Sequence, residues 1–311
     1  HKAIENHVNF SCEASVGGGI PILMPLHQSL AANQIESIVG ILNGTTNYIL
    51  SQMTETGVNY ANALADAQKQ GFAEADPTND VCGFDAARKL AILSSIGFRA
   101  NVTFDDVLVE GIEKIDKSDI QYAKDMGYTI KLLTVALRQE NGIALNVYPA
   151  FLPDNHPLSS VKGAYNAIYV TGNIVDDIMF YGRGAGALPT ASAVMGDVIS
   201  TAQHILNGST GTGMIMTDTK RIPFYSSLKL QNSYYFRLDV DDVTGVLSQI
   251  AAAFAENDIS ICEVVQKRKT KGLAELVLIT ELASRESILQ VEKGLQVLPC
   301  MRKVANVIRV M

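Results

Sequence analysis

Residues 71–89 read G-F-A-E-A-D-P-T-N-D-V-C-G-F-D-A-A-R-K. Four carboxylates (Glu74, Asp76, Asp80, Asp85) and two cations (Arg88, Lys89) crowd into this stretch. Asp85 and Lys89 are i and i+4, so a helix would put their heads on one face. The sequence that follows, L-A-I-L-S-S-I-G-F, is apolar nearly all round and predicts a buried helix over 80–96. A lysine entering such a face loses hydration, and its pKa falls toward the range useful for proton transfer. The same pair also reads as an ordinary ion pair worth ~0.3–0.5 kcal/mol, and spacing alone leaves both open. The break at Pro77, which brings Glu74 and Asp80 close in sequence, favours function. Arg88 points about 100° away from Lys89 and is expected to take a salt bridge instead.

Three further motifs could meet a ligand. G-I-L-N-G-T-T-N-Y at 40–48 is a strand running into a helix, with Thr45 and Thr46 at the helix N-terminus. Their amides and hydroxyls suit a carboxylate or phosphate, and a threonine is equally a plain N-cap. E-A-S-V-G-G-G-I at 13–20 resembles a phosphate cradle without the G-x-G-x-x-G spacing. A tight turn explains it as well, and carbonyls freed in such a turn can bind a hard cation. G-R-G-A-G at 182–186 could admit a ligand's backbone approach, but its third glycine comes one position early for a nucleotide fingerprint. None of the five histidines has a Ser, Cys or carboxylate at a useful spacing, so neither a zinc site nor a hydrolase triad is indicated.

Periodicity supplies the elements that must position these groups. Strands are predicted over 8–15 and 34–42, and helices over 21–32, 45–56, 59–70 and 80–96. The period then changes to strands over 128–138, 143–151, 166–171 and 174–181, separated by Asn-Gly, Pro-Asp-Asn and Gly-Asn turn signals. A helix over 188–206 follows. Helices on a broad, mostly antiparallel sheet define an α/β (α+β) unit over 1–206. The run N-G-S-T-G-T-G opens a linker over 207–231. Residues 232–311 carry a β-α-β-β-α-β series, the order of a ferredoxin-like unit, with Ser284 as N-cap of its second helix.

Composition narrows the class. The 311 residues suggest about two domains, and 47% hydrophobic with 18% charged residues argues against disorder. The net charge of −7 argues against a nucleic-acid surface. All of it lies before residue 231, since the remainder has ten basic and ten acidic residues. The one basic run, Lys267, Arg268, Lys269 and Lys271, reads as a solvated hairpin. No apolar run approaches the ~18–20 residues of a membrane span, and no secretory signal is visible. Cys12, Cys82, Cys262 and Cys300 lack disulfide or zinc spacing, which points to free thiols and a cytoplasmic location.

Together these motifs closely resemble the homoserine dehydrogenase family, in whose order and spacing they fall from about Asn9 to Leu206. The C-terminal unit resembles an ACT regulatory domain, marked by D-D-V-T-G-V-L at 241–247 and then Asn257. The resemblance implies NAD(P)H-dependent reduction of L-aspartate 4-semialdehyde to L-homoserine, a step of threonine, methionine and isoleucine biosynthesis. Lys89 matches the catalytic lysine. Asp85 and Glu74 match acidic residues around the substrate, and Asp80 and Thr45 look like further pocket members. Glu13, Val16, Gly18 and Ile20 match a monovalent-cation site, expected to hold Na+ mostly on backbone carbonyls. Gly186 matches a glycine that touches the dinucleotide, and Asp241, Gly245 and Asn257 match regulatory positions. L-Threonine is the expected effector and a homodimer or homotetramer the expected assembly. The family's Rossmann domain with its G-x-G-x-x-G is not found, so most of the nucleotide-binding domain is expected to be missing and the chain to turn over little alone. The competing expectation is an amino-acid-sensing and dimerisation module with no catalysis of its own.

Overall fold

The chain's path is built around the junction of one strand and one helix. β1 (Ile35–Ile41) feeds through Leu42 and Asn43 into α1 (Gly44–Thr56). Asn43, and not a threonine, caps that helix: its Oδ1 accepts the Thr46 N–H at 2.8 Å. The two hydroxyls are committed elsewhere, Thr45 to the Phe72 carbonyl at 2.6 Å and Thr46 to the Asn43 carbonyl at 3.1 Å. α2 (Tyr60–Lys69) follows, capped by Asn59. α3 (Phe84–Gly97) starts later than its apolar pattern predicts, because Gly83 is left-handed at φ +83° and separates it from a single turn, Thr78–Val81. Such a residue interrupts the i→i−4 ladder, and glycine adopts it without strain. This computed structural model describes residues 2–211, 222–270 and 272–311.

Two expected elements near the N-terminus take other forms. Residues 8–15 do not make a strand; Glu13–Ser15 is a single 3-10 turn. The cause is Glu13, 6% exposed, whose carboxylate accepts the backbone N–H groups of Ile22 at 2.5 Å and of Leu23 and Met24 at 2.8 Å. The helix expected over 21–32 shrinks around a wide turn, Pro25–Ser29, in which the Leu30 N–H reaches the Pro25 carbonyl at 2.9 Å. The stretch between α3 and residue 128 is one for which no element is predicted. It contains α4 (Lys117–Asp125), opened by a capping box of Asp116 and Asp119.

The remaining strands agree with the predicted ones within a few residues: β2 (Tyr128–Gln139), β3 (Gly142–Pro153), β4 (Tyr165–Gly172) and β5 (Asp176–Arg183). α5 (Ala187–Leu206) follows. The C-terminal unit runs β6 (Gln231–Asp241), α6 (Val246–Ala255), β7 (Ile261–Thr270), β8 (Leu273–Thr280), α7 (Arg285–Gln296) and β9 (Met301–Val310). Ser284 caps α7, accepting the Ser287 N–H at 3.0 Å.

These nine strands lie on one path in the order β5-β4-β1-β2-β3-β9-β6-β8-β7, and two two-residue strands, Leu108–Val109 and Ala283–Ser284, pair with β3 and β6 off that path. Neighbours on the path are antiparallel except β3 and β9, which meet in parallel at Arg309↔Ala150 and Val310↔Phe151. Within the C-terminal unit the order is last, first, third, second strand, as a ferredoxin-like unit requires. One apolar core joins α1, α3 and α4 to the sheet, and a second fills the C-terminal unit between its strands and α6 and α7. β2 is buried on both faces through its middle, so it does not alternate. Lys131 lies there at 2% exposure, donating to Asn47 Oδ1 and the Val161 carbonyl. Burial pushes its amine down to about 8.

Of the expected linker, residues 212–221 lie outside the described residues, and the rest is partly docked. The Ile143 N–H donates to the Pro223 carbonyl at 3.0 Å, and the Tyr225 N–H to the Ile143 carbonyl at 2.8 Å. In the basic hairpin, Lys271 is outside the described residues, and Lys267 pairs with Asp125 at 3.5 Å. No described helix is long and apolar enough to cross a membrane. All four cysteines are free thiols.

Candidate active site

At the C-terminal end of β1, Leu42 and Asn43 meet the Asp80 turn and the first turns of α3. Asn43 Nδ2 donates to Asp80 Oδ1 at 2.7 Å and to Asp85 Oδ2 at 2.9 Å. Lys89 Nζ donates to the same Asp85 oxygen at 2.7 Å and to the Leu42 carbonyl at 3.1 Å. One amide thus ties two carboxylates together, and one of those carboxylates holds the lysine. Asp85 and Lys89 share a face of α3 as i and i+4 residues do. Their side chains remain 31% and 22% exposed, which leaves the pair open to a small polar ligand.

Burial pushes the Asp80 carboxyl above the ordinary carboxylate range. The Asn43 amide opposes this, the Asp85 charge adds to it, Lys89 opposes it, and Glu74 adds to it. Asp80 thus feels the charges of Asp85, Lys89 and Glu74 at once. Glu74 is exposed, and its carbonyl accepts the Gln68 amide at 3.0 Å. Asp76 turns away to the Thr78 hydroxyl at 2.6 Å, which holds its carboxyl below the ordinary range. Arg88 makes no salt bridge among the described residues. It donates to Asn79 Oδ1 at 3.2 Å and lies over the Phe104 ring. The apolar surface on that side of α3 makes stacking available, whereas the carboxylates are on the Lys89 side.

The glycine motifs converge elsewhere. Gly18, at φ +55°, lies so close to the second glycine loop that a Cβ would stand 2.4 Å from the Gly184 carbonyl oxygen. The Gly19 N–H donates to the Arg183 carbonyl at 3.1 Å. Glu13, Val16, Gly18 and Ile20 therefore share one tight loop packed on the entrance of α5. The Glu13 carboxylate is taken up by the amides of 22–24, so only backbone oxygens there suit a cation. Gly186 opens α5 at φ +124°, with nothing nearer than 3.4 Å to where a Cβ would sit. A cleft of about 330 Å³ runs between this loop and α5, lined by Glu13, Gly19, Met24, Ser192 and Asp197 among others.

The three positions expected to be regulatory lie in the C-terminal unit. Asp241 pairs with Arg302 at 2.6 Å, Gly245 opens α6 at φ +88°, and Asn257 Nδ2 donates to the Ala253 carbonyl at 2.9 Å. Asn43 is the site residue the sequence reading missed. The signal was present: an Asn between strand and helix is a strong N-cap, and a capping amide has N–H groups to spare.

Comparisons with known proteins give the family. The homoserine dehydrogenase family profile matches residues 21–199, and the ACT domain profile matches residues 234–300. The homoserine dehydrogenase of Mycobacterium tuberculosis is 44% identical over 97% of this chain and 70% of its own length. A crystal structure of a homoserine dehydrogenase from Thiobacillus denitrificans superposes with a TM-score of 0.92 at 36% identity, covering 97% of this chain and 70% of that one. A hyperthermophilic archaeal homoserine dehydrogenase mutant in complex with NADPH matches with a TM-score of 0.56 at 27% identity, over 64% of this chain and 57% of that one.

The fold is that of an oxidoreductase with a C-terminal ACT domain. The chain belongs to the homoserine dehydrogenase family. The expected absence of a nucleotide-binding domain is not borne out by these matches, which give only the shared length.

Proposed function

We propose that this chain carries the substrate site of an NAD(P)H-dependent homoserine dehydrogenase, with Lys89 as general acid and base. The observation that carries the reading is the single Asp85 oxygen shared by Lys89 and Asn43. NAD(P)H supplies the hydride when bound. Lys89 gives a proton to the aldehyde oxygen of L-aspartate 4-semialdehyde as hydride reaches the carbon. The carbonyl π bond breaks and C–H and O–H bonds form, yielding L-homoserine. In oxidation Lys89 takes the hydroxyl proton back. Two of its three N–H groups are engaged by Asp85 and Leu42, so the third is available for the substrate oxygen. Asp85 keeps the ammonium in place, and Glu74 and Asp80 offer opposite charge to the substrate's α-ammonium. Thr45, fixed against the Phe72 carbonyl, lines the approach.

The residues present fit the cofactor's nearer part. Gly186 leaves the first turn of α5 open, and helix N-termini favour phosphate oxygens. Glu13, Val16, Gly18 and Ile20 would hold Na+ through backbone carbonyls on their tight loop. The domain reading is 1–206 for the substrate and dimerisation unit, 207–231 for the linker, and 232–311 for the ACT unit. Its setting is amino-acid biosynthesis in the cytoplasm, as a homodimer or homotetramer. Lys89→Ala in the full-length enzyme is expected to lower turnover by at least ~10²-fold, the scale of general acid–base catalysis. Wild-type turnover would remove Lys89 from the role.

A second reading is favoured by the self-contained core of the C-terminal unit: an amino-acid-sensing and dimerisation module that binds L-threonine near Asp241, Gly245 and Asn257. Calorimetry with threonine, methionine and homoserine separates the two, and no heat with threonine would count against sensing.

A further inference from the structure

A buried ionic cluster joins the C-terminal unit to residues 110–119, which run into α4. Asp119, wholly buried on α4, accepts Arg237 Nε at 2.7 Å, the Tyr235 hydroxyl at 3.1 Å and Asn306 Nδ2 at 2.8 Å. Asn306 also donates to the Lys114 carbonyl at 2.9 Å. Nearby, Arg309 donates to Glu110 Oε2 at 2.9 Å while its guanidinium stacks 4.1 Å over Tyr148. Every one of these donors belongs to β6 or β9, and every acceptor lies in residues 110–119.

The same segment is clamped at its other side to the turn that carries Asp80. The Ile112 N–H donates to the Val81 carbonyl at 2.9 Å. Gly111 lies so near that a Cβ would stand 2.3 Å from that carbonyl oxygen and 2.6 Å from Cys82 Cα. Gly83, whose N–H donates to the Asp80 carbonyl at 2.9 Å, leaves 3.1 Å between its would-be Cβ and Val109. Side chains and backbone therefore form an unbroken contact from Arg309 and Arg237 to the Asp80–Asn43–Asp85 cluster.

We propose that the C-terminal unit sets the position of the Asp80 turn through residues 110–119, with Glu110 and Asp119 as positioning residues for the active site. The inference rests on the reading of Asp80 as a substrate carboxylate. It goes beyond that reading by assigning the site's geometry to contacts made by the C-terminal unit. Neither Glu110 nor Asp119 touches the reacting atoms. Their effect is on where Asp80 stands, so it is read in substrate affinity more than in the proton-transfer step.

The test uses the full-length enzyme with Glu110→Ala, the conservative Glu110→Gln, and Arg285→Gln as a control. Arg285 pairs with Glu292 at 2.7 Å inside the C-terminal unit, off the proposed route. Loss of a hydrogen bond to a charged group predicts roughly 10-fold faster amide exchange at Gly83 and Ile112 in Glu110→Ala. KM for homoserine rises by a similar factor, with kcat within about twofold. Glu110→Gln, which can still accept from Arg309, recovers part of both, and Arg285→Gln changes neither. Unchanged exchange at Gly83 and Ile112 in Glu110→Ala would overturn the proposal, as would faster exchange with an unmoved KM. If the parent enzyme does not oxidise homoserine, the functional reading fails, and the exchange measurement still decides whether the C-terminal unit holds the turn.

Discussion

Asn43 shows how much one side chain can organise. Its oxygen closes the first turn of α1, and its nitrogen spans Asp80 and Asp85. Asp80 sits between this amide and several like charges, and burial raises its pKa above the ordinary 3.8. A raised carboxylate pKa means the folded state binds a proton more readily than the unfolded chain. Stability therefore falls as pH rises from the unfolded value through the folded one, and stays lower above it. Asp80→Asn removes that cost. At pH 7 its Tm is expected to equal or exceed the parent's, and the difference should vanish in acid, where both states carry a protonated carboxyl. Homoserine affinity should fall, because the neutral amide no longer faces the α-ammonium. Thermal melts at several pH values beside KM measurements check both halves, and a lower Tm at pH 7 would contradict the argument. In the parent, KM should rise as pH drops through the elevated Asp80 pKa.

Among the elements, the loop from Glu13 to Met24 is the least like its sequence signature. Three consecutive glycines and a wide turn would wander without an anchor. Glu13 supplies one by accepting three successive backbone amides. Hydrogen bonds to a charged acceptor contribute ~1.5–3 kcal/mol each when truncation leaves buried donors unpaired. Glu13→Gln replaces one acceptor oxygen by a donor that faces those amides. We expect it to destabilise the protein by roughly 2–3 kcal/mol, read as a shift of the denaturation midpoint. Asp197, which accepts the Glu13 N–H at 2.9 Å, ties the same loop to α5. The variant should therefore loosen the entrance of that helix as well, which amide exchange over 13–24 would detect. A midpoint equal to the parent's would mean that the loop is held by its glycine packing alone.

For the whole molecule, the joint between the two units combines a short strand pairing, a shared apolar core and buried polar contacts. β3 and β9 share only two register pairs, so hydrogen bonding along the sheet contributes little to the junction. The buried Arg237–Asp119 pair, with Tyr235 and Asn306, forms one polar cluster across it, beside the Arg309–Glu110 and Tyr122–Glu275 contacts. Breaking a buried pair by removing one partner costs ~3–5 kcal/mol, because the other charge is left unpaired. Arg237→Met should lower stability by about that amount. It should also separate unfolding of the C-terminal unit from that of the rest in a denaturant titration. A single cooperative transition at the parent's midpoint would show that apolar contact alone holds the joint.

Sequence by itself determined the local elements whose periods are strong and the chemistry whose partners are neighbours. The strands between 128 and 183, the ferredoxin-like order of the C-terminal unit, and the Asp85–Lys89 pair were all legible, because each depends on residues within a few positions. The Ser284 cap was legible for the same reason. Tertiary structure decided the rest. Residues 8–15 look extended until Glu13 finds amides nine to eleven positions away. α4 turns the charge of Asp119 inward beside Ile120, Tyr122 and Ala123, and that charge meets Arg237, Tyr235 and Asn306 only across the fold. Asn43 bridges carboxylates 37 and 42 residues distant, and Arg88 finds a ring instead of an acid. Partners at such separations leave no periodic trace along the chain. The carboxylates and the lysine could be named from the chain alone, while the amide that unites them and the buried ions that hold their turn exist only once the sheet has closed.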